Sequence, residues 1–139
     1  MVDQQIIDFI NGHHLLSLAT TKDNIPYCAN CFYVYDEKKN WLIFSSDKKT
    51  KHAQDFIANP NVAGTIALET KEISKIQGVQ LLGKIKELKG EELVNANKHY
   101  LKAFPYAAKM NPYLWVMQLT FIKMTHNKLG FGKKMVWKK

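Results

Sequence analysis

The chain has 139 residues, of which 46% are hydrophobic and 23% charged, enough apolar side chain to build a core without metal or disulfide support. It shows no repeat, heptad or low-complexity tract, and its apolar runs are interrupted by charge or amide, which excludes fibrous, coiled-coil and transmembrane-helix classes. The net charge is +8, and all 20 basic residues are lysine. Such a surface draws anions, yet without arginine it lacks the planar fork that reads guanine or grips phosphate in two places. Solvated lysines account equally well for the charge. The opening segment MVDQQIIDFING is acidic where a secretory leader is basic, so a soluble, cytoplasmic, single-domain protein over residues 1–139 is expected.

In chain order, Ile6, Phe9 and Ile10 fall at helical spacing over 3–11, and Gly12 stops that helix. Residues 15–21 read as a strand, Lys22-Asp23-Asn24 as a turn, 27–35 as a second strand and 41–45 as a short apolar third. Thr50 can cap a helix with Ala53, Phe56 and Ile57 on one face, and Pro60 marks its end. Strands follow at 62–68 and 76–88, the latter carrying Gly78 and Gly83 as candidate bulge positions. A helix over 91–104, an alternating strand over 113–125 and a last strand around Met135 and Trp137 complete the chain. Short strands joined by tight turns predict a mainly β fold, a small antiparallel barrel with flanking helices.

The two cysteines, Cys28 and Cys31, have CxxC spacing, but PYCANCFYVYD reads as a strand, in which residues i and i+3 face opposite sides. Two separate thiols are therefore expected, not a redox pair or half of a zinc site. The scattered histidines lack ligand spacing, so no metal is expected.

The segment Phe44-Ser45-Ser46-Asp47-Lys48-Lys49-Thr50-Lys51-His52 leaves a strand and enters a helix. Its hydroxyls, its lysines and the open amides of a first helical turn suit an anion such as phosphate. A capped helix with solvated lysines is the other reading of the same residues. LGFGKK, near the end, reads as a turn. With no nucleophile elbow or triad order in the chain, any catalysis would draw its chemistry from a cofactor.

The ordered run from LATTKDNIPYCANCFYVYD through WLIFSSDKKTKHAQDFIANPNVAGTI to VQLLGKIKEL resembles the FMN-binding split barrels of the pyridoxamine 5′-phosphate oxidase-like superfamily. The tail with LGFGKKMVW is similar to the small bacterial YhbP-like subgroup. The resemblance implies a six-stranded antiparallel split barrel that forms a homodimer with FMN at the interface. It implies that Asn30, Cys31, Phe32 and Tyr33 run along the flavin ring, largely through backbone groups. Ser45 and Ser46 would then lie near the ribityl chain and phosphate, and Thr50, Lys51 and His52 would face the phosphate. Gln77 or Gln80 would reach the flavin from the partner subunit. The expected activity is oxidoreduction of a small substrate whose identity the sequence leaves open, with a nicotinamide nucleotide as one candidate electron donor.

The oxidases use arginines for phosphate groups and a C-terminal Arg-x-His element for their substrate, and this chain has no arginine. A true pyridoxamine phosphate oxidase is therefore not expected. Two other classes remain open on sequence: a non-catalytic carrier of flavin or haem, and a barrel that stacks single-stranded nucleic acid on Tyr27, Phe32, Tyr33 and Tyr35. Aromatics in an alternating strand serve more often as core than as stacking platforms, which argues against nucleic acid.

Overall fold

A computed structural model describes residues 1–139. The chain runs α1 (Gln4–Asn11), β1 (Leu15–Lys22), β2 (Ile25–Asp36), β3 (Trp41–Ser45), α2 (Lys51–Ala58), β4 (Asn61–Ala67), β5 (Gln77–Glu87), α3 (Gly90–Ala103), β6 (Leu114–His126) and β7 (Lys134–Lys138). Short 3-10 turns at Ile73–Lys75, Pro105–Met110 and Asn127–Leu129 fill the longer connections. No helix is long and apolar enough to cross a membrane.

All strand pairs are antiparallel, in the order β3-β2-β1-β4-β5-β6-β7, and β3 pairs back onto β6. The ring thus closes through six strands, and the seventh is an addition to the expected count. It finds a place because β6 is long. One edge of β6 lies against β5 throughout, while its other edge serves β3 over Leu114–Gln118 and β7 over Phe121–Thr125.

Local chemistry explains the turns. Asp23 and Asn24 both take positive φ in the two-residue β1–β2 hairpin, the demand that a primed turn makes and that short polar side chains tolerate. Gly83 sits at the register shift between β5 and β6, where Thr120 is the extra residue. A side chain there would meet the Gln118 carbonyl at 2.6 Å, so of the two candidate glycines Gly83 marks the bulge.

Alternation along β1, β2 and β4 sends Leu16, Leu18, Cys31, Tyr33, Val62 and Ile66 into the barrel, where Ile6, Phe9 and Ile10 of α1 and Phe56 of α2 join them. Strand β3 is buried on both sides. Leu42 and Phe44 face the barrel, whereas Ile43 packs under α3 with Ala96, Tyr100 and Val116. That double burial is why WLIF is an uninterrupted apolar run.

Candidate functional site

Strand β2 has two lives. Over Ile25–Phe32 it pairs with β1, and over Tyr33–Asp36 it pairs with β3. The amide of Tyr33 donates to the His14 carbonyl on the β1 side at 3.0 Å. Antiparallel alternation then turns the N–H and C=O of Cys28 and Asn30, and the N–H of Phe32, to the opposite edge beyond the end of β3, where β2 has no strand neighbour. A row of unpaired backbone donors and acceptors is a place where a planar heterocycle can hydrogen-bond.

Beside this open edge, β3 ends at Ser45 and the chain turns into α2. Ser46 is buried, its amide donating to the Tyr113 carbonyl at 3.0 Å and its carbonyl accepting from Trp115 Nε1 at 2.9 Å. Its hydroxyl lies 2.8 Å from His52 Nε2 and 3.8 Å from Cys31 Sγ. Thr50 caps α2, accepting the Ala53 amide at 3.3 Å. The Lys51 and His52 amides make no hydrogen bond, as at any helix start. The Thr50 hydroxyl gives its own proton to the Asp47 carbonyl at 2.8 Å, so the Ser46 hydroxyl, one imidazole and two free amides are what converge in a cradle for an anion.

The charges around the cradle differ from expectation. Burial lowers the pKa of His52, and the nearby Asp55 carboxylate only partly opposes this, so the ring is neutral at pH 7 and offers a hydrogen bond in place of a charge. Lys51 spans both Asp55 oxygens at 3.0 and 3.2 Å and lies 5.0 Å from the centre of the Tyr27 ring. Burial would raise the pKa of Asp55, but hydrogen bonds from Lys51 and Thr20, with the Lys51 and Lys22 charges, hold it below the usual carboxylate value. Burial also pushes the Cys31 thiol up against the opposing Ser46 hydrogen bond, so it stays protonated.

On the far side of Phe32 a cavity of about 890 Å³ opens, within the range of ligand sites. Ser45 and Lys48 stand at one wall, and Phe104, Tyr106, Met110 and Tyr113 form another. Phe32 stacks on Phe104 with ring centres 5.6 Å apart. The ammonium of Lys48 sits 4.8 Å from the Tyr113 ring centre and 3.9 Å from Glu87, and it is Tyr113 above all, then Glu87, that raises its pKa.

Of the residues expected from sequence, Phe32 and Ser45 line this cavity, Ser46, Thr50 and His52 gather in the cradle next along the chain, and Asn30 accepts a hydrogen bond from the Ser17 hydroxyl on the outer sheet face. Cys31 and Tyr33 lie beneath it, their side chains in the core and their backbone on the β1 side. The glutamines part company: Gln80 points out of the barrel, while Gln77 falls on the inward register, paired with His126. Tyr33 and Tyr35 are 2% and 3% exposed, which removes half of the aromatic platform that nucleic-acid stacking would need. Sequence reasoning missed the 104–113 wall; its signal was FPYAAKMNPY, an aromatic-rich segment framed by two prolines.

Comparison with known proteins places this geometry. Residues 2–128 match the family model described as pyridoxamine 5′-phosphate oxidase. A UPF0306 protein of Yersinia enterocolitica is 41% identical over 132 residues, covering 95% of this chain and 90% of the relative. Among solved structures, a haem-binding protein from Mycobacterium smegmatis superposes with a TM-score of 0.80 at 16% identity, over 99% of this chain and 59% of that one. An FAD-binding protein from Mesorhizobium loti gives 0.74 at 14% identity, over 89% and 94%.

Proposed function

The chain belongs to the pyridoxamine 5′-phosphate oxidase family, and we propose that it is a homodimeric flavoprotein that binds FMN at the subunit interface and acts as an oxidoreductase on a small substrate. The observation that carries this reading is the junction of two unlike features: the open β2 edge at Cys28 and Asn30, and the cradle of Ser46, Thr50 and His52. A flavin ring needs the first and a terminal phosphate the second. The cavity leaves room for a substrate beside the ring, and the FAD-binding neighbour has the same fold.

In this reading the Asn30 and Phe32 backbones orient the ring. The Ser46 hydroxyl and the Lys51 and His52 amides hold the phosphate, Thr50 fixes the helix start that presents those amides, and the Phe32–Phe104 pair excludes water from one wall. Bound FMN would supply two-electron chemistry, with a reduced nicotinamide nucleotide as the natural donor. Without arginine, the chain has no fork for a phosphorylated substrate, so its substrate differs from that of the oxidases. Dimerisation is supported by the outer face of the β2-β1-β4-β5-β6 sheet, where Phe32, Leu15 and Leu82 are exposed among small residues and, in the three central registers, a single charge, Lys123.

The test is an absorption spectrum of purified protein before and after loading with FMN and desalting. Retained flavin bands, followed by oxidation of a reduced nicotinamide, support the reading. A haem Soret band in their place would shift the cleft to haem carriage, the property named for the M. smegmatis neighbour, and no band in either form overturns it.

A further inference from the structure

The anion cradle is short of charge. A phosphate monoester carries about two negative charges at neutral pH, yet Lys51 is committed to the Asp55 carboxylate and Lys48 lies against Glu87. Lys49 is exposed in the loop, and His52 contributes a hydrogen bond without a charge. One protomer therefore offers dipoles and a hydroxyl to the phosphate, with little net positive charge facing it.

The opposite imbalance exists on the outer sheet face. Asn30, Ser17, Thr65, Gln80 and Lys123 stand side by side across β2, β1, β4, β5 and β6 and point outward in one register. In this register and the two beside it, from β2 to β6, Lys123 is the only charged residue. Its ammonium makes no ion pair or hydrogen bond within the chain. Packed against a second copy, it would be a desolvated cation on a face with no acid to meet it, and such a cation is costly to bury.

Symmetry lets one association cure both defects. In a two-fold interface, if one residue meets another, the reverse contact also forms. An axis parallel to the strands and passing near Thr65, the middle of the row, reverses the strand order and lays β6 of each copy over β2 of the other. That places Lys123 opposite Asn30, the residue before Cys31, whose Sγ lies 3.8 Å from the Ser46 hydroxyl of the cradle. We infer that Lys123 of the partner subunit completes the anion cradle, supplying in trans the positive charge that Lys51 and Lys48 have already spent on Asp55 and Glu87. This rests on the dimeric flavoprotein reading and adds to it a specific cation, the subunit it comes from and the orientation of the dimer.

The test is complementation between subunits. Ser46→Ala/Thr50→Ala removes the cradle, and Lys123→Gln removes the cation. The two variants, carrying different tags and co-expressed, give a heterodimer in which one site joins an intact cradle to an intact lysine from the other chain. FMN affinity is measured by quenching of flavin fluorescence, with riboflavin, which has no phosphate, as control. The expected result is that each homodimer binds FMN at least about tenfold more weakly than the parent protein, that riboflavin binding to Lys123→Gln is unchanged, and that one site per heterodimer regains parental affinity. Heterodimers no better than the homodimers, with parent protein that binds FMN normally, would overturn the inference and leave the flavoprotein reading standing. Parent protein that binds no FMN overturns both.

A flavin-independent measurement uses Asn30→Cys and Lys123→Cys in a Cys28→Ser background. Within one chain the two positions are four strands apart, roughly 19 Å, while facing sheets lie about 10 Å apart, so a bismaleimide spanning about 10 Å should link chains to each other. Absence of the cross-linked dimer in a sample that sediments as a dimer contradicts the proposed axis.

Discussion

The hydroxyl of Ser46 and Nε2 of His52 lie 2.8 Å apart at the end of β3 and the start of α2, and Trp115 of the neighbouring strand β6 clamps the Ser46 carbonyl. The site is therefore preorganised by core contacts, with no need for a loop to close. The same burial that fixes His52 keeps its ring neutral, which makes the cradle a hydrogen-bonding device whose charge must come from elsewhere.

His52 should titrate below 6.5 in the ligand-free protein, as followed by imidazole NMR shifts. Because its folded value lies below that of the unfolded chain, the unfolded state takes up the proton first. The stability held by the neutral ring is complete above about 6.5 and is lost as pH falls through the folded value. Saturating FMN should move the titration upward, since a phosphate beside the ring favours the imidazolium. A titration unmoved by bound FMN would place the phosphate away from His52.

Lys51→Met should raise the pKa of Asp55, because it removes both an ammonium hydrogen bond and a charge from a carboxylate that burial already disfavours. In the parent protein this carboxylate is held below its ordinary 3.8, so its contribution is present above that value and is lost as pH falls through the lower folded one. Acid unfolding followed by circular dichroism should therefore begin at a higher pH in the variant. An identical acid transition would show that Thr20 and Lys22 hold the charge without Lys51.

Gly83→Ala should destabilise the barrel by about 1–3 kcal/mol, the usual cost of overpacking. The new methyl would stand 2.6 Å from the Gln118 carbonyl and 2.9 Å from Met117 Cγ, and the backbone of a bulge has little room to yield. Urea denaturation should show a lower midpoint with an unchanged slope. Gly90→Ala, where open space surrounds the position but φ is +59°, gives a useful contrast, since its cost is conformational instead of steric.

Phe104→Ala should weaken flavin binding while leaving the fold intact. Phe104 is only partly buried and stacks on Phe32 at the cavity wall, so the loss to stability should stay near the 0.5–1.5 kcal/mol typical of an aromatic pair plus a modest area term. Flavin affinity and thermal midpoint, measured on the same sample, separate the two effects. A large fall in the midpoint with unchanged affinity would make Phe104 a structural residue and remove it from the site.

Much of this protein follows from runs of a few residues. Period-2 alternation in YCANCFYVY places Cys31 inside and Cys28 outside, Thr50 caps α2, and Asp23-Asn24 turns β1 into β2. Each depends on neighbours within a turn or a pleat, so the chain states it directly. The order of elements, the antiparallel barrel and the hydroxyl-bearing start of α2 are of this kind. Tertiary structure alone decides what those groups are free to do. Thr20 meets Asp55 across 35 residues and thereby occupies Lys51, Trp115 reaches Ser46 across 69, and β3 closes onto β6 while leaving the edge of β2 open. Hydrogen-bond and charge partners are set by which surfaces the folded chain brings together, and neither periodicity nor composition records that choice.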